Sequence, residues 1–263
     1  MNLIQRVSPN FTRGRGGLIP DALVMHTTGN TTQSGTNTVL NGNSGVSYHF
    51  IITGADFAGH GIVPSLKDGD VIQFVDIADT AWHSGITAIV RNSGVFRNKA
   101  HQVVQKRPQS PNSYTIGIGF GDMNRNNWGL TQAQIASAVS LILHIQSEVM
   151  QRFNYSIPLT REHIIGHNQV DPVNRPNCPG PRFPFDEIIE NLLREEHENM
   201  KRYQSLAEIR KDHSWAVEEL QALIDNGVLQ GNEGGGKGLD LTIDMIRSII
   251  MSARMVNQKI GRG

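Results

Sequence analysis

Ala22-Leu23-Val24-Met25-His26-Thr27-Thr28-Gly29 places four apolar residues before a histidine and closes with polar turn-formers. An apolar run bounded in this way predicts a buried strand whose polar end emerges at the edge of a sheet. Working outward, Val46 to Thr53 (VSYHFIIT), Asp70 to Asp76 (DVIQFVD) and the glycine-containing Thr115 to Phe120 (TIGIGF) read as further strands. The polar stretch 30–45 reads as a loop or a short helix. Thr131 to Phe153 is the clearest helix: Thr131 is an N-cap candidate, and Ile135, Val139, Ile142, Ile145 and Val149 recur at helical spacing. Arg161 to Cys178 is a short element leading into a loop rich in proline and asparagine. Strands interspersed with long helices predict an α/β or α+β domain that ends near Phe185.

The remainder divides in two. Residues 186–204 are charged and helix-prone and read as a helical linker. Within 205–263, Trp215 to Gly227 (WAVEELQALIDNG) predicts an amphipathic helix closed by a glycine, and Leu241 to Met255 a second helix with Thr242 as its N-cap. Asn232 to Gly238 (NEGGGKG) reads as a loop. The expected organisation is a catalytic domain over 1–185, a linker over 186–204 and a small helical C-terminal domain over 205–263.

Composition narrows the function. Lysine and arginine total 24, matched by 24 acidic residues. Nucleic acid is therefore a poor partner, because phosphate-driven binding needs a basic surplus. No apolar run of about 18 residues predicts a membrane span. The opening MNLIQRVSPNF lacks a basic segment followed by an apolar one, so synthesis in the cytoplasm without a secretory signal is expected. One cysteine, Cys178, excludes an intramolecular disulfide. It is a free thiol, a metal ligand or a nucleophile.

Catalytic zinc takes three protein ligands from histidine, cysteine and carboxylates and keeps a fourth position for water. Gly166 to Gly180 (GHNQVDPVNRPNCPG) brings a histidine and the lone cysteine into one stiff segment, with two prolines before Cys178 and Pro179-Gly180 after it. His163 competes with His167. On a helix their i, i+4 spacing would let both grip one ion, but no glutamate directly follows His163 as the zincin pattern requires. On a strand they lie about 13 Å apart, and one binds. Each residue also has a plainer reading. His26 can be a hydrogen-bonded structural histidine, Cys178 a small buried hydrophobe, Tyr48 a packing aromatic and Trp82 a rim aromatic. His49, His60 and His101 are taken as structural or solvated. Strand alternation puts Tyr48 and His49 on opposite faces.

The set LVMHTTG, SYHFII, AWHSG, TIGIGF and IIGHNQVDPVNRPNCPGPRFPF resembles the zinc-dependent N-acetylmuramoyl-L-alanine amidases, the amidase-2 family that includes phage lysozyme-type amidases and animal peptidoglycan recognition proteins. The resemblance runs from about Asp21 to Phe185. It implies a central mixed β-sheet flanked by helices, with Zn2+ at the floor of a cleft held by His26, His167 and Cys178. It implies that Tyr48 assists the activated water or the oxyanion, and that Trp82 and His83 border the substrate groove. Two departures follow. Gly119 stands where some members carry a glutamate base. Pro176 stands where some carry a lysine, which leaves Arg175 as the nearest cation for an oxyanion.

The implied reaction is hydrolysis of the amide between N-acetylmuramic acid and L-alanine in bacterial peptidoglycan. No general acid for the leaving amine is named by the sequence. Lack of a secretory signal suits a phage or prophage endolysin that reaches the cell wall after release, with the C-terminal piece a module for cell-wall binding or self-association. Residues 86–113 carry Arg91, Arg97, Lys99, Lys106 and Arg107 and no acid. They read as a solvated loop or as an attractant for anionic wall polymers. Two rivals stand beside the zinc enzyme: a non-catalytic peptidoglycan-binding module, and a hydrolase using Cys178 as nucleophile and His167 as base.

Overall fold

The computed structural model describes residues 1–29, 31–55, 66–86, 99–123, 127–232 and 237–260. His60, Arg91 and Arg97 lie outside the described residues. The chain divides into two compact units, Met1–Leu192 and Leu193–Gly263.

In the first unit the strands are β1 (Leu3–Gln5), β2 (Phe11–Thr12), β3 (Ala22–Thr27), β4 (Phe50–Ile52), β5 (Val71–Gln73), β6 (Thr80–Ala81), β7 (Thr115–Phe120) and β8 (Ile164–Gly166). The helices are α1 (Thr32–Leu40), α2 (Gln102–Gln105), α3 (Pro111–Tyr114), α4 (Gln132–Phe153), α5 (His167–Val170) and α6 (Phe185–Met200), of which the residues up to Leu192 belong to this unit. Six strands form one mixed sheet in the order β1-β5-β4-β7-β3-β8, and β2 pairs with β6 separately. All pairs in the large sheet are parallel except β4 with β5. The α/β class with a central mixed sheet and flanking helices is thus as expected.

Alternation along β3 divides its side chains between two layers. Leu23 and Met25 join Phe50, Ile52, Ile116, Ile118 and Phe120 in the main core, where α4 contributes Ile135, Leu141, Ile142, Ile145 and Val149. This is the apolar stripe of an amphipathic helix laid on a sheet. A capping box starts α4: Thr131 accepts from the Gln134 amide while the Gln134 side chain accepts from the Thr131 amide. Val24 faces the other way, among Ala100, Val104, Ile165 and Val170. His26, in phase with Val24, belongs to that second face.

Two sequence expectations shift, and one open alternative, a loop or a short helix, is decided. The strand expected over Val46 to Thr53 is regular only from Phe50 to Ile52. The stretch 30–45 contains the helix α1, capped by the Thr31 hydroxyl. The segment after Phe185 is helical as expected, yet Ile188 and Leu192 are fully buried in the first unit's core, so this part of α6 is packing surface rather than spacer.

The second unit contains β9 (Tyr203–Ser205), α7 (Leu206–Asp212), a 3-10 turn (Ser214–Ala216), α8 (Val217–Asp225), β10 (Lys237–Leu241) and α9 (Ile243–Ile260). Helix α8 ends in a Schellman motif, with Gly227 N–H on the Ile224 carbonyl and Val228 N–H on that of Leu223. Tyr203, Ile209, Leu220, Leu241, Ile246 and Ile250 form its core. To the expected helices it adds an antiparallel ribbon of β9 and β10. No described helix is long and apolar enough to cross a membrane.

Candidate metal centre

Strand register builds the site. β3 runs parallel between β7 and β8, with Met25 opposite Gly166 on one side and His26 opposite Gly119 on the other. His167 directly follows β8, so it emerges level with His26 at the carboxyl ends of neighbouring parallel strands. The two rings lie 4.3 Å apart between centroids. Carboxyl ends of strands are where α/β sheets expose their functional side chains.

Cys178 arrives on the loop after α5. Asp171 accepts from the Asn174 amide, the Arg175 amide bonds to the Asp171 carbonyl, and Cys178 N–H bonds to the Arg175 carbonyl. The Asn168 amide returns to the Cys178 carbonyl at 2.7 Å. These successive turns fold the long segment back to the sheet, where Thr27 N–H donates to Cys178 Sγ at 3.4 Å. Donor atoms of His26, His167 and Cys178 all lie within 4.8 Å of one another. His163 stays outside this group, its Nδ1 2.8 Å from the Asp21 carbonyl.

These residues fit a zinc ion. His26 is fully buried and its Nδ1 has no hydrogen-bond partner among the described residues. His167 uses Nε2 on the Ser84 carbonyl at 2.9 Å, which leaves Nδ1 for the cluster. Burial holds both imidazoles below their ordinary pKa, with the facing rings adding to the effect at His26. Neutral imidazole is the form that binds metal. Burial pushes the Cys178 thiol up to about 11, against the pull of the Thr27 amide and the Arg175 charge. A cysteine nucleophile needs the opposite shift. Two nitrogens and one sulfur are a donor set suited to zinc.

Tyr48 packs beside the cluster, its ring 5.1 Å from that of His26. Tyr48 and His49 do not follow strand alternation, because the regular pleat starts at Phe50, after both residues. His49 is buried, with Nδ1 accepting from the Gly117 amide and its ring 5.8 Å from that of His83. Burial raises the Tyr48 pKa, so its hydroxyl stays protonated and able to donate. Ser47 braces this segment, since its amide bonds to the Trp82 carbonyl and its hydroxyl accepts from the Trp82 amide.

Trp82 is 36% exposed and donates through Nε1 to Thr12, a rim position consistent with a groove wall. His83 differs from expectation. It is 4% exposed, and both ring nitrogens are engaged inside the protein, by His26 and Thr115. Neither ring nitrogen is therefore left for a substrate. Arg175 is exposed, and its guanidinium touches the Asn174 carbonyl. His101 is structural as expected, capping α2.

Several contributors escaped sequence reading. Ser84 acts through its carbonyl, and any residue type has one. Arg15 looked like part of a glycine turn, yet it is 5% exposed and donates to the carbonyls of Ile77, Ser113 and Thr115. A buried arginine inside an apolar-poor turn leaves no sequence signal.

The carboxyl ends of β3 and β8 and the loop after α5 gather two imidazoles and a thiol, with a phenol beside them, a donor set that suits a metal ion. Residues 16–181 match the N-acetylmuramoyl-L-alanine amidase family, and the chain belongs to that family. No curated protein matches the chain. Solved structures that align with it include an AmpD derivative, at 18% identity over 73% of this chain and 94% of that one, TM-score 0.48. They also include the N-acetylmuramoyl-L-alanine amidase LysC from Clostridium intestinale URNW, at 19% identity over 73% and 98%, TM-score 0.39. The catalytic domain of XlyA aligns at 17% identity over 73% and 99%, TM-score 0.40.

Proposed function

We propose that this peptidoglycan amidase is a zinc enzyme of endolysin type, which hydrolyses the bond between N-acetylmuramic acid and L-alanine at the His26, His167 and Cys178 centre. The observation that carries the reading is the convergence of these three donors, contributed by two separate stretches of the chain, together with the unpartnered Nδ1 of a fully buried His26. A zinc ion held there supplies a Lewis acid for the scissile carbonyl and lowers the pKa of a water nucleophile.

The chain's own residues do the rest. Tyr48, kept protonated by burial, donates to the developing oxyanion. Arg175 adds a positive charge from the loop edge. Trp82 forms the groove wall on which the glycan or the peptide stem lies. Ser84 holds the orientation of His167. In the second unit, the groove lined by Leu223, Val228, Leu229 and Ile249, with Trp215 exposed, supports a role in cell-wall binding or self-association.

The thiol-nucleophile alternative is disfavoured by the raised Cys178 pKa. Metal analysis of the purified chain, combined with product analysis of digested cell walls, tests the proposal. One zinc per chain and new free amino groups without new reducing sugars are expected. Full activity in a metal-free preparation would overturn it.

A further inference from the structure

We propose that the dipeptide His83-Ser84 is a bracket that orients both histidine ligands, and that His83 is a positioning residue which fixes the tautomer of His26. The inference rests on the metal reading of the site.

Proton bookkeeping along one chain of contacts sets the tautomers. Thr115 Oγ1 lies 2.6 Å from the Pro111 carbonyl oxygen, which has no proton to give, so the hydroxyl donates there. The same Oγ1 is 3.1 Å from His83 Nε2. With its own proton used, it accepts, and His83 Nε2 carries the hydrogen. A neutral imidazole has one such hydrogen, so His83 Nδ1 is a lone pair. That lone pair sits 3.1 Å from His26 Nε2, which must therefore be the N–H. His26 Nδ1 is left bare, in agreement with its being a buried atom with no hydrogen-bond partner among the described residues. The relay from the Pro111 carbonyl thus leaves a bare ring nitrogen on His26, a member of the candidate metal cluster.

His83 is also fixed in place. A Cβ on Gly117 would lie 2.5 Å from His83 Cγ and 2.8 Å from Nδ1, so the imidazole rests on bare strand backbone. Gly117 pairs with Val24 and Gly119 with His26, which sets His83 one pair below His26 on the same face. Its backbone is pinned as well, because the His83 and Ser84 amides both bond to Asn112 Oδ1, at 3.2 and 2.8 Å. One residue on, the Ser84 carbonyl accepts from His167 Nε2. A single anchored dipeptide thereby orients His26 through a side chain and His167 through the main chain. Partners of this kind tune metal affinity while never touching the ion.

The test uses the full chain with His83→Asn, His83→Leu and Thr115→Val, and Cys178→Ser as the ligand control. Asparagine and leucine are similar in size, but only asparagine offers an acceptor near the Nδ1 position. Zinc affinity is measured by competition with a chromogenic chelator, beside the melting temperature of the metal-free protein and the visible spectrum of the cobalt-substituted protein. His83→Leu should weaken zinc by about 10- to 100-fold and alter the cobalt spectrum. Thr115→Val should lose affinity in the same direction by less, and His83→Asn should bind more tightly than His83→Leu. A folded His83→Leu with wild-type affinity overturns the proposal. If His83→Leu does not fold, unchanged affinity in Thr115→Val does so. Wild-type protein that binds no zinc, or Cys178→Ser that binds it undiminished, overturns the metal reading instead, and the two failures are separable.

Discussion

The Tyr48 ring lies against the bare face of Gly119: a Cβ there would sit 3.3 Å from Tyr48 Cδ2 and 3.4 Å from Cε2. Gly119 is where some family members place a glutamate base. In this chain the tyrosine ring occupies the space above that position, so a side chain at 119 requires the ring to give by a few tenths of an ångström. Tyr48→Phe keeps the ring and removes the donor, so kcat should fall by about 10²-fold, as for loss of an oxyanion donor. Zinc content should be unchanged. Gly119→Ala should lower kcat too, by pushing the ring aside. Steady-state kinetics on a soluble muropeptide checks both, and wild-type kcat in Tyr48→Phe would remove the hydroxyl from the mechanism.

Cys178→Ser and His167→Ala each remove one donor of three. Both should bind less than stoichiometric zinc and lose nearly all wall lysis. A chelator should inactivate the wild type, and added zinc should restore it. Retained lysis in metal-free Cys178→Ser would contradict the assignment.

Zinc affinity should rise with pH. Both imidazoles are held below their ordinary values and are neutral at pH 7, so they release no proton on binding. The Cys178 thiol, at about 11 in the metal-free protein, is protonated and must release one. Below that value each pH unit therefore raises affinity by about tenfold. Chelator competition at pH 7, 8 and 9 reads the slope, and a flat profile would mean that the thiolate is not a ligand.

Arg175 is exposed, so its charge acts through solvent. Arg175→Ala should reduce kcat/KM by at most about tenfold, with a larger effect at low ionic strength because salt screens exposed charges. An effect independent of salt would point to a direct contact instead.

Ile142 is buried between α4 and the sheet, away from the face that carries His26. Ile142→Ala should destabilise the first unit by about 2–5 kcal/mol, the usual cost of a large-to-small core change. Activity per folded molecule should persist. Urea unfolding beside a kinetic assay separates the two quantities.

The amino-acid sequence alone determined the elements whose signal is local. The apolar run of β3, the Thr131 cap with its 3.6-residue stripe, and the alternating glycines of β7 are properties of neighbours along the chain. The candidates His26, His167 and Cys178 were legible for a related reason: each sits where an apolar run or a stiff loop ends. Only the tertiary structure decided which way His83 points, that Tyr48 and His49 escape simple alternation, and that the Ser84 carbonyl holds His167. Those relations depend on strand register and on backbone atoms common to every residue, so no pattern of side chains announces them. Two imidazoles become neighbours because β3 and β8 end level in one sheet, and that alignment exists only once the chain has folded.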